Sequence, residues 1–345
     1  MKEINIDVVH DELFNHNKPL LAYSADNDYQ TWKKQIEEKL ISLLGIEVIK
    51  ENAVEDMHFE IEKIEDFETY TITHFTFESE KDCVVPCYFL VPKDNKKKHP
   101  VCICLQGHTT GYHISLGRVK YERDNDAIKV NSFGIDAVKR GYVALCIEQR
   151  GMGIRSTPRI DRGKAETVAC YHTAMTALLL GRTLIGERVW DVSRAIDILE
   201  QHYADICDFS DLSLLGMSGG GTATYYTMAV EKRIKTALSG FAVSTYRQSI
   251  NHKWHCSCNY IPQIARYMDM GEIAVCIAPR KLLIVNGEDD PIFLADGTRT
   301  VYKTIQAIYE QEGKPNYCNL IIIPNVPHRF QPEVAWPALE EMRKR

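Results

Sequence analysis

Hydrophobic and polar positions change their pattern near Pro100. Before it, Trp32, Ile36, Leu40 and Leu43 recur at helical spacing, and Gly45 predicts the stop. Three strand-like segments follow: MHFEIEKI, ETYTITHFTF and CVVPCYFLV. Alternation in the first places Met57, Phe59 and Ile61 on one face, as in an antiparallel strand with one side in water. After Pro100 the apolar residues come in short unbroken runs: VCICL (101–105), YVALCI (142–147), LSLL (212–215), ALSGFAV (237–243), KLLIV (281–285) and NLIII (319–323). Such runs, bounded by turn residues, predict strands buried on both faces. Helical patterns lie between them, Ile185, Val189, Val192, Ile196 and Leu199 in one and Val301, Ile305 and Ile308 in another. Alternating buried strands and amphipathic helices predict an α/β fold whose mostly parallel sheet is covered on both sides. In such sheets the chemistry gathers at the carboxyl ends of the strands.

Composition narrows the classes of function. The 345 residues are 45% hydrophobic and 26% charged, enough for a sizeable core. A net charge of -6, from 41 basic and 47 acidic residues, argues against a nucleic-acid or anionic-membrane partner. The eleven cysteines are odd in number, and Cys102, Cys104 and Cys146 fall inside apolar runs. They read as buried free thiols in a reducing compartment. The charged start MKEINIDVVHDELFNHNKP does not read as a signal peptide, and no segment approaches a membrane span, so the cytoplasm is the expected location. The lysine-rich KDNKKKHP (93–100) reads as a solvated turn between strands. Self-association is left open.

The strand ends carry the candidate chemistry. After LSLL comes Gly216-Met217-Ser218-Gly219-Gly220, a G-x-S-x-G match between a buried strand and a helix-like segment. A sharp strand-to-helix turn strains the serine backbone, and glycines two residues to either side relieve the crowding. The competing reading is a turn whose serine caps the helix. A serine hydroxyl needs a base, and His328 follows the last apolar run, in PNVPHRF. An acid should orient that imidazole. NGEDDPIF, after KLLIV, offers Glu288, Asp289 and Asp290, of which Asp290 is preferred and Asp289 competes. The other usual acid position, after ALSGFAV, holds Ser244 and Thr245. The order Ser218, Asp290, His328 is that of α/β-hydrolases. Oxyanion donors are expected from the backbone N–H groups of Gly219 and His108, with Gly107 making the turn.

Other features are weighed and set aside. NHKWHCSCNYIP brings His252, His255, Cys256 and Cys258 close in sequence, but C-x-C is not the usual zinc spacing and no second pair answers it. No metal is expected. The segment is read instead as part of a lid, with Trp254 and Tyr260 shaping the pocket for the acyl or alcohol part of a substrate. In EQRGMGIR, Glu148 and Arg150 read as an ion pair bracing a loop, with substrate contact by Arg150 as the alternative. The glycine-rich GMSGGGT lacks the phosphate-loop pattern.

QGHTTGYHISLGR, EQRGMGIR, LLLGRTLIGERVWDVSRAIDIL, GMSGGGTATYY, CNYIP, IAPRKLLIVNGEDDPIF and PHRF together resemble bacterial α/β-hydrolases of the dienelactone-hydrolase-like, acetyl-xylan-esterase-related group. The resemblance spans roughly residues 80 to 340. It implies the α/β-hydrolase fold with about eight strands, the first ones antiparallel. It also implies a serine carboxylesterase whose triad falls on Ser218, Asp290 and His328. Dienelactone hydrolases proper use cysteine as nucleophile, so serine here argues for ester rather than lactone hydrolysis. The expected organisation is a helical extension over 1–50 and one catalytic domain over 51–345, with insertions near 108–127, 150–170 and 244–275. The expected partner is a small ester, such as an acetylated carbohydrate, and no cofactor is required. A peptidase or acyltransferase on the same fold, or a binding module without activity, are the alternatives.

Overall fold

The apolar runs all become strands of one sheet. The computed structural model describes residues 5–156 and 169–345, so part of the insertion expected at 150–170 lies outside the described residues. The strands are β1 Glu60–Asp66, β2 Tyr70–Glu80, β3 Cys83–Pro92, β4 His99–Leu105, β5 Val143–Ile147, β6 Cys207–Met217, β7 Thr236–Gly240, β8 Lys281–Gly287 and β9 Cys318–Ile323. Their spatial order is β1-β2-β3-β5-β4-β6-β7-β8-β9, nine strands where about eight were expected. β1, β2 and β3 pair antiparallel with one another, and β3 pairs antiparallel with β5. From β5 through β4 to β9 every pairing is parallel.

Alternate residues of the central strands feed two cores. Val101, Ile103 and Leu105 face a large cluster with Trp32, Ile36, Leu40, Ile185, Val189, Ile196 and Ile305. Cys102, Cys104 and Cys146 face a second cluster with Phe133, Trp336 and Leu339. The helices Tyr29–Leu44, Leu184–His202 and Ala295–Gln311 therefore cover one face, and Phe133–Lys139 and Pro332–Lys344 the other. With both faces covered, polar alternation has no place in these strands, which is why their runs are continuous.

The helix Tyr29–Leu44 starts where the Asp28 side chain accepts from the Thr31 N–H at 2.8 Å. It ends at Gly45, in the left-handed region at φ 75°. Its buried stripe is Trp32, Ile36, Leu40 and Leu44, so strict four-residue steps replace the expected Leu43, which is half-buried. The first strand also departs from expectation. Met57 is buried and Phe59 stacks on the His202 ring, but both precede β1, and Ile61 is exposed. A register shift between Ile61 and Lys63 breaks the two-residue alternation on this edge strand. Residues 93–98 form an exposed connection between β3 and β4, as the lysines require.

Candidate active site

The parallel strands β4 to β9 deliver residues 106, 148, 218, 241, 288 and 324 to one rim of the sheet. Ser218 lies between β6 and the helix Gly219–Val230, at φ 57° and ψ -123°. That conformation is costly for a residue with a Cβ. It is held by Ser218 N–H donating to Gly240 O at 2.8 Å and by Thr222 N–H donating to Ser218 O at 2.8 Å. The turn is crowded enough that a Cβ on Gly220 would collide with the Leu105 carbonyl, and one on Gly216 with the Gly220 carbonyl. Only glycine at both positions lets the helix close on the strand.

Ser218 Oγ is 2.9 Å from His328 Nε2, and His328 Nδ1 is 2.8 Å from Asp290 Oδ2. The other oxygen, Asp290 Oδ1, accepts from the N–H groups of Ile292 at 2.8 Å and Phe293 at 3.1 Å. Asp290 is buried, whereas Glu288 and Asp289 are exposed and Glu288 pairs with Arg299. The imidazole lies near-parallel to the Phe293 ring and edge-on to Phe241, with 16% of its side chain exposed. The two phenyl rings have no signature in the sequence beyond following β7 and β8.

Gly219 opens its helix, where an N–H has no acceptor within the helix. Gly107 abuts Ser218: a Cβ there would lie 3.2 Å from Ser218 Cβ. Gly107 O accepts from Thr109 N–H at 2.8 Å, which makes a tight turn around His108. The His108 ring packs on Gly219 and points Nε2 at Cys258 Sγ, 3.2 Å away. Its side chain is thus engaged with protein, which leaves the backbone for a donor role. A cavity of about 440 Å³ adjoins through His108, walled by Thr109, Thr110, Tyr121, Asp124 and Ser156 among others; Ser218 is not one of its walls.

One sequence reading needs correction. Arg150 does not pair with Glu148 and does not face the site. It is buried and bonded to Glu80 at 2.6 Å and Asp191 at 2.7 Å, with Glu187 at 3.5 Å. A fork-shaped guanidinium suits three carboxylates better than one. Trp254 is largely exposed and Tyr260 about half so, and both line a cavity of about 490 Å³ with Cys170, His255 and Cys256.

Glu148 has a different role from the one its sequence suggests. It is buried and accepts from Gln106 Nε2 at 2.8 Å, Tyr112 N–H at 3.1 Å and Ile154 N–H at 3.3 Å, tying together the loops after β4 and β5. Burial outweighs these bonds and pushes its carboxyl up to about 7. As pH rises from about 4.5 to about 7, the unfolded chain releases this proton first, so stability falls across that window. Glu148→Gln should remove this residue's share of the fall, about 3 kcal/mol, and leave that of other buried carboxyls such as Asp269, pushed up to about 6. Urea midpoints of both proteins from acid to mildly alkaline pH check this; parallel curves would contradict it.

This rim, with its strand order and its serine turn, is that of an α/β-hydrolase. Residues 4–184 match the model of the abhydrolase family, and the chain belongs to that family. A relative provisionally named as the hydrolase YtaP of Bacillus subtilis (strain 168) is 29% identical over 231 residues, covering 66% of this chain and 73% of that protein. Among solved structures, a protein of Bacteroides fragilis NCTC 9343, provisionally described as an acetyl xylan esterase, superposes with a TM-score of 0.78. The match covers 99% of this chain and 96% of that one at 15% identity. Glucuronoyl esterase from Solibacter usitatus follows the same fold, with a TM-score of 0.65 over 94% and 96% of the two chains at 15% identity. So does acetyl xylan esterase 1 from Thermoanaerobacterium sp. JW/SL YS485, at 0.61 over 96% and 98% and 13% identity.

Proposed function

We propose that the protein is a serine carboxylic ester hydrolase acting on short acyl esters, acetylated carbohydrates foremost. The observation that carries this reading is the continuous hydrogen-bond chain Ser218–His328–Asp290. His328 Nε2 takes the proton of Ser218 as the hydroxyl attacks the ester carbonyl. The N–H groups of Gly219 and His108 hold the oxyanion, each such donor typically contributing about 3–4 kcal/mol in the transition state. The imidazolium passes its proton to the departing alcohol. Water, activated by the same imidazole, then releases the acid from the acyl-enzyme.

Two features support a carbohydrate alcohol. The cavity beside His108 is lined with the hydroxyl-bearing side chains of Thr109, Thr110, Tyr121 and Ser156, groups suited to sugar hydroxyls. The structures that share the fold include proteins named as acetyl xylan and glucuronoyl esterases. The test is a panel of acetyl, butyryl and longer esters together with acetylated sugars, with product analysis in the presence and absence of alcohol acceptors. Fastest release of acetate from acetylated sugars, with water as acceptor, is the expected result. Transfer to the alcohols in preference to water would make the protein an acyltransferase, and no turnover of any ester would end the reading.

A further inference from the structure

The turn that holds His108 reaches a second chemical cluster. The fold brings His108, Cys170, Cys256 and Cys258 together from three distant segments, and their ligand atoms all lie within 4.8 Å of one another. His108 Nε2 and Cys256 Sγ each lie 3.2 Å from Cys258 Sγ. Cys170 comes from the helix Ala169–Leu179, and Cys256 and Cys258 from the turn around Ser257–Asn259. We propose that these four side chains form a zinc site of Cys3His type.

Donor chemistry and charge both favour this metal. Three sulfurs and one imidazole nitrogen suit a tetrahedral, moderately soft ion. Zinc bonds of about 2.0–2.3 Å would set the ligand atoms about 3.3–3.8 Å apart, so the cluster needs only small side-chain adjustments. Beside it lies Arg188, buried, with no carboxylate partner among the described residues. Its side chain donates to the Arg150 carbonyl at 2.8 Å and to Cys170 Sγ at 3.3 Å. A dication with three thiolates carries one negative charge, and the guanidinium neutralises it, so the partly buried cluster has no net charge.

The sequence conceals the site because only Cys256 and Cys258 are close in it. His255, their neighbour, is not part of the cluster: its Nδ1 meets Asn259 Nδ2 at 3.0 Å and its ring lies edge-on to Phe293. His108 and Cys170 supply the missing half. All four positions of the tetrahedron are protein ligands, so the metal has no open position and its role is structural. It would pin the loop carrying the His108 N–H to the 256–258 turn, next to the Gly219 backbone that the same ring covers.

The experiment reads metal, not turnover, so it stands apart from the ester reading. Wild-type protein purified under reducing conditions should contain one zinc per chain by elemental analysis. After chelation, Co2+ alone should bind at one equivalent, with thiolate-to-cobalt charge-transfer bands and the intense visible bands of tetrahedral cobalt. Cys256→Ser and His108→Asn should each lower the metal content at least tenfold. If a variant does not fold, the wild-type cobalt spectrum decides alone. Wild-type protein that is metal-free and takes up no cobalt with these bands overturns the proposal. So does a Cys256–Cys258 disulfide found by mass spectrometry in freshly reduced protein, or an unchanged cobalt spectrum in a folded Cys256→Ser variant.

Discussion

Ser218→Ala is expected to lower kcat on short acyl esters by about 10⁴- to 10⁶-fold, the range seen when a nucleophile acting in concert with its base is removed. The residual rate should come from water attacking an ester still polarised by the Gly219 and His108 N–H groups. The mutation deletes one oxygen from a half-buried position and keeps the Cβ that the turn already accommodates. The fold should therefore survive, and the thermal midpoint should not fall. Relief of the 2.9 Å contact leaves His328 Nε2 facing solvent, which a 16% exposed imidazole tolerates. A fluorophosphonate probe gives the second readout, with stoichiometric labelling of wild type and none of the variant. Equal turnover by the two proteins would remove Ser218 from the chemistry.

The serine was legible because three signals agree on it: a buried run before it, glycines two positions to either side, and a helical pattern after it. His328 was legible from topology, as the histidine just past the last apolar run, and that rule holds because the strands from β5 to β9 are parallel and end on one rim. Choosing Asp290 over Asp289 was harder, since sequence cannot show which of two adjacent carboxylates turns inward. The backbone decides it: the turn closed by Asp290 N–H on Gly287 O directs Asp290 inward and leaves Asp289 in water. The N-terminal helix was legible from its apolar stripe except for its last member, where Leu44 rather than Leu43 completes the four-residue steps. The reading failed where partners are far apart in sequence. Arg150 finds Glu80 on β2 and Glu187 and Asp191 on the helix Leu184–His202, and the adjacent Glu148, the nearer guess, turns to the loops instead. Cys170 carried no signal at all, for a lone cysteine in an apolar stretch looks like any small buried residue.

Asp290→Asn tests the orientation of the imidazole separately from the presence of the serine, and its effect should be about 10⁴-fold in kcat. The cause lies in what the two carboxylate oxygens do. Oδ1 accepts two backbone N–H groups, from Ile292 and Phe293, and only an oxygen can fill that position. The asparagine must therefore place its NH2 where Oδ2 stood, 2.8 Å from His328 Nδ1. An N–H facing Nδ1 forces that nitrogen to be the acceptor. The ring proton then moves to Nε2, the nitrogen that faces Ser218 Oγ and should receive its proton. The base is lost although no heavy atom has moved. Asp289→Asn, one residue away and exposed, should change kcat by less than about twofold. Fluorophosphonate labelling of Asp290→Asn should be slowed but still located on Ser218, and NMR of the imidazole nitrogens should report the exchanged tautomer. If Asp289→Asn gave the larger loss, or if Asp290→Asn kept near wild-type turnover, the relay drawn through Asp290 would be wrong.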